Sequence, residues 1–494
     1  MVPLSIKGGS VLHVGNNAVL LQRLQTAGPG TVNIRRTTVY ELGNYLSVGQ
    51  VSDIPDLTFS MESLDASCAM EALLLDLPVG TTHTYDFTLA KVLNLKSAFK
   101  PGQGTADQFG TTGSAAVPCL YLESVSYKYG VGSTNATKTC TLKGDTIFYN
   151  PGSTYVEGVA GSGTAGQTIV SAHPAYAVVE GGIQRRILAI TAGRTRLQFG
   201  ADYTEAYGAI TTEAAVTTIT IIAAVAATDT IYITYASPAE ETFPQSVHAL
   251  VSGIFGTLTA AVLAAATTIS VDFATVAGDS LIIDDTAGSA VTEVVQVASV
   301  TGTASPWVAT LVTATVNAHL ISAPVAQYVP TVRPAALRGR DIDIYIGPAG
   351  APGAAAATVI GTKRRGIQSA SVDWKVTLQN DEELGNYHYV NIDYDVPVVS
   401  GSIAFRPQVY ADLLTLVQDL SAVSDRLQSA GPSTSPALDV QVVLKNPLDG
   451  RVLERLHIPD ARFQLPGFSA KVQSKLDLTA PFTSDTGVLL VQDF

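Results

Sequence analysis

The sequence predicts a mainly β protein in which one strand-rich unit occurs twice and small β modules are inserted between the two copies. Charged residues make up only 14% of the 494 residues and 42 are Gly, which suits short strands packed in layers better than long helices. Apolar and polar residues alternate in many short segments bounded by turn-forming residues. The third observation is a repeated pentapeptide, formed by Glu41, Leu42, Gly43, Asn44 and Tyr45 and again by Glu383, Leu384, Gly385, Asn386 and Tyr387.

The repeat keeps one register beyond these five residues. The offset from Glu41 to Glu383 is 342 residues, and it also carries Asp-Ile-Pro at 53–55 onto Asp-Val-Pro at 395–397. Downstream, apolar residues stay in phase in two alternating segments, which begin at 57 and at 399. Because a slip of one residue would turn every side chain to the opposite face of a strand, the shared phase indicates a duplicated structural unit.

Each copy predicts the same order of elements: a strand, a hairpin turn, two further strands and a helix. The central Gly-Asn of each pentapeptide suits the tight turn of a hairpin. Asp65 is a candidate N-cap for a helix over 66–77, and in the second copy Pro407 precedes an apolar helical stripe. We expect further strands at 120–129 and 137–149 in the first unit and at 341–346, 369–376, 438–445 and 462–478 in the second.

The predicted domains are a first unit at 1–150, an inserted region at 151–335 and a second unit at 336–494. Within the first unit, the Gly-rich stretch 78–117 predicts a long connection. The inserted region predicts short strands, and a join near Phe243 divides it into modules at about 151–245 and 246–335. A weak internal echo at an offset of 50 residues leaves open whether these two modules are themselves duplicates.

The charge of the chain limits its partners. A net charge of −13 argues against a protein that reads nucleic-acid sequence, because such a protein needs a basic face. The inserted region holds most of the excess negative charge, with 5 Lys and Arg against 13 Asp and Glu and no Lys at all. The two units are nearly balanced in charge.

The N-terminal sequence lacks the design of a signal peptide, and the three cysteines form no spaced framework, so we expect synthesis in a reducing cytoplasm. Cys68, Cys119 and Cys140 are interpreted as buried small hydrophobic residues, although Cys119 and Cys140 could face each other on adjacent strands. The uncharged stretch 242–271 is long enough to span a bilayer. Pro244 and repeated polar residues interrupt it, and we expect no membrane insertion.

Few motifs point to catalysis. Residues 161–166 match the Gly-rich fingerprint of dinucleotide-binding sites, but that motif needs a following helix, which Pro174 interrupts, so we expect a flexible linker. The seven His residues show no metal-ligand spacing, and the acidic triplet 381–383 is interpreted as a solvated turn. The sequence therefore predicts no enzyme, no cofactor and no metal site, and an enzyme would require a helix after Gly166.

Residues 33–65, NIRRTTVYELGNYLSVGQVSDIPDLTFSMESLD, resemble the core of bacteriophage tail tube proteins, which are also called major tail proteins. Two further segments fit that family: 122–145, which ends in Thr-Leu-Lys-Gly-Asp, and Leu-Pro-Gly-Phe-Ser at 465–469. The resemblance covers roughly residues 5–150 and 336–494 but not most of the inserted region. It rests on patterns of strand and turn.

The resemblance implies two tail-tube-type β-sandwich domains, each with a flanking helix, whose inner sheets join around a ring into a continuous barrel. Stacked rings would form a hollow tube that encloses the tape measure protein and conducts DNA during ejection. Further implied partners are the tail terminator and tail tip proteins. The implied location is the virion tail, after synthesis in the cytoplasm of a bacterial host, and a non-contractile, siphovirus-type tail is favoured because outward decorations would obstruct a sheath.

The duplication sets an expected ring size. Family members with one tube domain form six-membered rings, so a chain with two such domains is expected to form a ring of three chains. We predict the two pentapeptides at hairpin tips that contact the next ring. The resemblance also implies an electronegative lumen, built by sorting acidic side chains inward, and the acidic inserted region is expected to project outward.

An alternative hypothesis is a modular β-rich surface adhesin, or a tail-fibre-like protein that binds a receptor or a carbohydrate. This would explain the inserted modules but not the duplication. It requires an aromatic-rich binding face, for which Trp307 and Trp374 are the only tryptophans in the sequence.

Overall fold

The computed structural model of the protein describes residues 4–5, 10–14, 17–20, 24–29, 36–40, 47–52, 54–64, 68–75, 84–101, 113–131, 136–150, 153–180, 183–193, 195–206, 214–227, 229–238, 251–275, 277, 279–284, 291, 293–302, 305–328, 337–348, 362–381, 388–389, 391–406, 437–445, 452–464 and 478–493.

The protein is mainly β, as the sequence predicts. The described residues form 39 strands, one α-helix and two short 3-10 helices. Helix α1 spans Ala69–Leu75, inside the range predicted for it, and the 3-10 helices span Phe87–Leu89 and Gly339–Asp341. The helix predicted after Pro407 lies outside the described residues.

The first unit contains twelve strands among its described residues. Their bounds are β1 Leu4–Ser5, β2 Ser10–Val14, β3 Asn17–Leu20, β4 Leu24–Pro29, β5 Arg36–Tyr40, β6 Ser47–Ser52, β7 Leu57–Ser63, β8 Thr84–Asp86, β9 Leu93–Pro101, β10 Gly113–Gly130, β11 Thr137–Gly144 and β12 Phe148–Asn150.

The inserted region contains seventeen described strands. They are β13 Ser153–Ala160, β14 Gln167–Val170, β15 Ala175–Tyr176, β16 Val178–Glu180, β17 Ile183–Arg185, β18 Ile187–Ala192, β19 Thr195–Leu197, β20 Tyr203–Ala206, β21 Ala214–Ala215, β22 Thr218–Ile221, β23 Thr230–Ser237, β24 Val251–Thr257, β25 Thr268–Val271, β26 Ser280–Ile283, β27 Glu293–Thr301, β28 Trp307–Leu311 and β29 Pro324–Tyr328.

The second unit contains ten described strands. They are β30 Ile342–Pro348, β31 Thr362–Lys363, β32 Ile367–Lys375, β33 Leu378–Asp381, β34 Asn391–Tyr394, β35 Val398–Phe405, β36 Leu438–Lys445, β37 Val452–Phe463, β38 Leu478–Ser484 and β39 Leu490–Asp493.

Two predictions about single elements are wrong. The stretch 78–117 is not one long connection, because it contains β8, β9 and the start of β10, and β9 pairs with β10 along its length. The alternation that marks β9 is present in the sequence, but the glycines that follow it favour a loop. The strand predicted at 462–478 is also misplaced: β37 begins at Val452 and ends at Phe463. Its residues are buried on both faces and it contains Pro459, so it lacks an alternating pattern.

The two units repeat one pattern of strand pairing. In the first unit a front sheet has the order β4-β7-β11-β10, and a back sheet has the order β3-β2-β9-β10-β12. In the second unit the front sheet is β32-β35-β38-β37 and the back sheet is β31-β30-β36-β37-β39. One long strand, β10 or β37, belongs to both sheets of its unit. The strands therefore correspond pair by pair.

A shared irregularity supports this correspondence. The pairing of β9 with β10 shifts between Val117 and Leu120, and the pairing of β36 with β37 shifts next to Ala461. At these shifts Cys119 and Asp460 both adopt positive φ, 58° and 51°, which is uncommon for residues other than Gly. A bulge bends a strand, so each unit turns its long strand from the back sheet into the front sheet at the same point.

The two inserted modules also share a pairing order. The first module (β13–β23) has a sheet β13-β23-β18-β19 and a sheet β14-β22-β20, while the second module (β24–β29) has the order β24-β29-β26-β27-β28-β25. In this order β14 corresponds to β25 and β22 to β28. The sequence echo at offset 50 instead places β22 on β25, and it therefore does not mark equivalent strands.

The main hydrophobic core runs through both units and into the second module, where Leu281 and Val325 are buried with residues of the front sheets. The first module has its own core, which includes Ile187, Ile190 and Ile233. The second module is tied to the first unit by pairing of β24 with β3. The first module thus folds around a separate core and contacts the units through small buried clusters.

Candidate assembly interface

The two units are joined edge to edge within the chain. Strand β10 pairs antiparallel with β32, from Ser124 opposite Lys375 to Gly130 opposite Ser369. A second pairing joins β8 of the first unit to β39 of the second. We call these two pairings the in-chain seam. The pairing of β10 with β32 merges both front sheets into one continuous sheet with the order β4-β7-β11-β10-β32-β35-β38-β37.

Apolar packing closes the seam on its core side. Trp374 of β32 is 1% exposed, and its ring lies 5.7 Å from the ring of Phe87 in the first unit. Val125 and Val372 are buried on the adjoining strands. The core is therefore continuous across the seam, and separating the two units would expose large apolar side chains to water.

A buried charge cluster also crosses the seam. The ammonium of Lys138 on β11 lies 2.9 Å from Glu71 of α1 and 2.7 Å from Glu454 of β37, and the side chains of both carboxylates are 0% exposed. The hydroxyl of Tyr127 donates a hydrogen bond of 2.8 Å to Glu71. Burial alone would lower the pKa of Lys138, but Glu454 and Glu71 outweigh it and hold that pKa well above its usual range. Lys138 is therefore charged, and it links both units.

A second buried cluster lies where the first module meets both units. Arg196 of β19 donates a hydrogen bond of 2.8 Å to Asp145, which follows β11, and the Nδ1 atom of His388 lies 3.0 Å from the same carboxylate. Burial alone would raise the pKa of Asp145, but the opposite effects of Arg196 and His388 are larger. Together they lower this pKa to about 2. The guanidinium of Arg185 lies 3.5 Å from the other ring nitrogen of His388. Three parts of the chain therefore share one carboxylate.

The pH dependence of stability is expected to report on this cluster. Burial lowers the pKa of His388 from its ordinary 6.5, and the charges of Arg196 and Arg185 lower it too. Asp145 acts in the opposite direction but does not cancel the decrease. The hydroxyl of Thr146 also contacts the ring. A lowered His pKa means that the unfolded chain binds more protons, so stability falls as the pH drops below about 6.5. Asp145 adds a second loss below its ordinary 3.8, towards about 2.

Urea unfolding at a series of pH values measures this effect, with His388→Gln as the matched control. We expect the difference in stability between the original protein and the variant to shrink as the pH falls from about 7.5 to 5. A difference that stays constant over this range would contradict the assignment.

The predicted pentapeptide residues, 41–45 and 383–387, lie outside the described residues, and their contact between rings stays a prediction. Each pentapeptide falls between two strands that pair with each other, β5 with β6 and β33 with β34. Directly after the second pentapeptide, His388 and Tyr389 are buried, and the Tyr389 hydroxyl donates a hydrogen bond of 3.0 Å to Asp56 of the first unit. The end of the connection between β33 and β34 is thus part of the contact between the two units.

The other sequence motifs adopt plain structural roles. Residues 161–166 form a turn between β13 and β14, and a strand rather than a helix follows Gly166. The uncharged stretch 242–271 contains β24 and β25. Cys68, Cys119 and Cys140 are buried and make no disulfide, and burial raises the pKa of Cys119 to about 11.

The described residues contain neither a metal-binding cluster nor a membrane-spanning helix. No group of three His, Cys, Asp or Glu side chains is placed to hold a metal ion in the part of the chain that the structure describes. The helices in that same part are too short to cross a membrane.

The first unit leaves two strand edges without a described partner. Among the described strands, β4 pairs only with β7, and β12 pairs only with β10. Their counterparts in the second unit are β32 and β39, which are the two strands that make the in-chain seam. An open strand edge presents unpaired N–H and C=O groups and is a template for pairing with another chain.

Sequence reasoning missed the charged residues of both clusters. Lys138 offers a signal, because it shares the phase of Cys140 and Leu142, which are buried. A charged residue on a buried face requires a buried partner. Nothing in the sequence identifies Glu71 and Glu454 as those partners, since they come from distant elements.

Comparison with known proteins adds no relative. No protein-family model matches the chain, and no curated protein matches it significantly in sequence. The resemblance to tail tube proteins therefore rests on residues 33–65, 122–145 and 465–469 alone.

Proposed function

We propose that the protein is the structural subunit of a bacteriophage tail tube. Its two units are proposed to be tail-tube-type β-sandwiches with flanking helices, and three chains are proposed to close into a ring of approximate sixfold symmetry. Rings would stack into a tube that encloses the tape measure protein, meets terminator and tip proteins at its ends, and conducts DNA in the virion tail. The protein is proposed to act without catalysis.

One observation carries this proposal: equivalent sheets of the two units already join edge to edge within one chain. The seam between β10 and β32 uses one edge of each unit. By the correspondence of strands, the edge β4 of the first unit is available to a neighbouring chain. That neighbour can supply the counterpart of β10, which is the front-sheet part of its β37. The same contact can therefore repeat between chains and, by closing a ring, pair the open edges of the front sheets.

Imaging of the purified full chain by electron microscopy tests the proposal. We expect rings or tubes of uniform diameter, with three chains per ring in a symmetry-free reconstruction. Rings of six complete chains would contradict the predicted ring size. A protein that stays monomeric at high concentration, and also in the presence of seeds cut from assembled tails, would overturn the tube function.

The face proposed to line the lumen differs in charge from the expectation. The front sheets pack one face on the core, and three rows of described residues cross the middle of the other face. The rows are Ser60, Thr141, Ser124, Lys375 and Val398; Glu62, Thr139, Ser126, Asp373, Ser400, Thr483 and Arg462; and Thr137, Lys128, Ser371, Ser402 and Pro481.

Ten of these 17 residues are Ser or Thr, and three basic side chains stand against two acidic ones. This count argues against the electronegative lumen that we expected. We propose instead a lumen of low charge lined by hydroxyl groups, in which passing DNA meets neither strong repulsion nor a basic binding face.

The adhesin alternative gains no support from the two tryptophans. Trp374 is buried beneath the seam and Trp307 is half-buried on β28, so they form no shared aromatic face. We propose no receptor-binding role.

A further inference from the structure

We infer that the first inserted module is an internal brace that locks the second unit onto the first. This assigns the module a role in the architecture of the single chain, in place of the outward decoration expected from its sequence. The inference goes beyond the proposed tube function, because it concerns the in-chain seam alone and holds whether or not chains assemble.

The polar half of the brace is the shared carboxylate of Asp145. Arg196, from the first module, reaches Asp145 of the first unit with both side chains 4% exposed. His388 of the second unit contacts the same carboxylate, and the main-chain N–H of Tyr389 donates to it at 3.3 Å. Because this buried carboxylate of the first unit is bonded by both the module and the second unit, removal of the module would leave a buried charge without its strongest partner.

The apolar half of the brace surrounds the same junction. Ala189 of the first module is buried in one small cluster with Tyr121 of the first unit and with Tyr389 and Ile392 of the second. The amide of Gln198 adds a hydrogen bond of 3.5 Å to the main-chain oxygen of Tyr389. The module therefore contacts the hairpin β33–β34 through packing as well as charge.

Comparison of the two units shows what the module changes. Asp145 directly follows β11 in the first unit. The equivalent residue of the second unit is Asp485, which directly follows β38. Asp485 pairs with Arg462 of its own unit, and the side chains of the two are 51% and 46% exposed. The carboxylate of the first unit is thus buried by the module and by the second unit, whereas its counterpart lies open to solvent.

The first module directly follows the first unit in the sequence, and its described contacts with Asp145 and Tyr389 lie at the in-chain seam. The chain is predicted to behave as a rigid pair of units before any assembly.

Hydrogen exchange of the full-length chain, in the variant Arg196→Met, tests the brace. Met retains the length of the side chain but removes its charge. We expect exchange of main-chain amides at 119–122 and 388–394 to accelerate by about tenfold or more, since hydrogen bonds to charged groups are among the stronger ones. Strands β18 and β23 of the module itself should keep their protection. Arg340→Met, at a side chain 77% exposed, is the matched control and should change nothing at the seam.

Two outcomes would overturn the inference. One is an unchanged exchange pattern at 119–122 and 388–394 in Arg196→Met. The other is acceleration throughout β18 and β23, which would make Arg196 a residue for folding of the module. If Arg196→Met does not fold, the gentler variant Gln198→Ala, which loses only the module amide bonded to the main-chain oxygen of Tyr389, decides: it should loosen 388–394 selectively, and no change there would reject the brace.

Discussion

Replacing Lys138 by Met is expected to destabilise the folded chain by about 3–5 kcal/mol, the usual cost of removing one partner of a buried ion pair. The variant leaves the carboxylates of Glu71 and Glu454 buried together without the ammonium that lies 2.9 and 2.7 Å from them. Because these carboxylates belong to different units, the loss should appear in the transition that separates the units. Urea unfolding followed by tryptophan fluorescence measures it, since Trp374 lies beneath the seam.

A triple variant provides the control for this prediction. Lys138→Met combined with Glu71→Gln and Glu454→Gln removes all three charges and keeps the shapes of the side chains. We expect it to recover most of the lost stability, because neutral amides avoid the cost of unpaired buried charge. Equal stability of the single variant and the original protein would show that Lys138 contributes no net interaction across the seam.

A proline in β4, at a residue whose main-chain N–H faces away from β7, is expected to abolish tube assembly while the chain still folds. In an antiparallel pair, successive residues point their N–H groups alternately towards the partner strand and away from it. Of the variants Thr26→Pro and Ala27→Pro, one removes a bond between β4 and β7, which pair at both positions. The other removes only an N–H on the open edge, where a neighbouring chain is proposed to pair.

Thermal unfolding and electron microscopy of both variants separate the two effects. The variant that removes an N–H facing β7 should lose about 1 kcal/mol or more of stability, as expected for a lost hydrogen bond. The variant that removes an N–H facing the open edge should unfold like the original protein and form no tubes. If both variants assembled normally, β4 would not be the edge that joins chains.

The sequence predicted the local elements better than their partners. Strands such as β7, β11 and β35 follow from alternation at a fixed phase, because one face of each is buried. The position of β37 was predicted wrongly because burial on both faces removes the alternation of apolar and polar residues. The seam could not be predicted, since pairing between distant strands depends on packing that no short segment encodes.

The candidate site shows the same division. The pentapeptides revealed that a unit is repeated, and β5–β6 and β33–β34 do pair on either side of them. The charged residues that hold the units together are not part of the repeat. Leu478 at the start of β38, for example, occupies the place that Lys138 has on β11. Comparison of the two copies therefore could not identify the residues that distinguish the in-chain seam.

The distance along the chain between the two sides of the seam also orders events during synthesis. Ser126 and Asp373, which share a hydrogen bond across it, are separated by 247 residues. At about 5–20 residues per second, the edge of β10 waits roughly 12–50 seconds for its partner to leave the ribosome. The inserted modules emerge during that interval, and the first of them carries Arg196 to Asp145 before the second unit exists. Each nascent chain can thus join the first module to Asp145 before the in-chain seam forms, and the later arrival of His388 completes the brace.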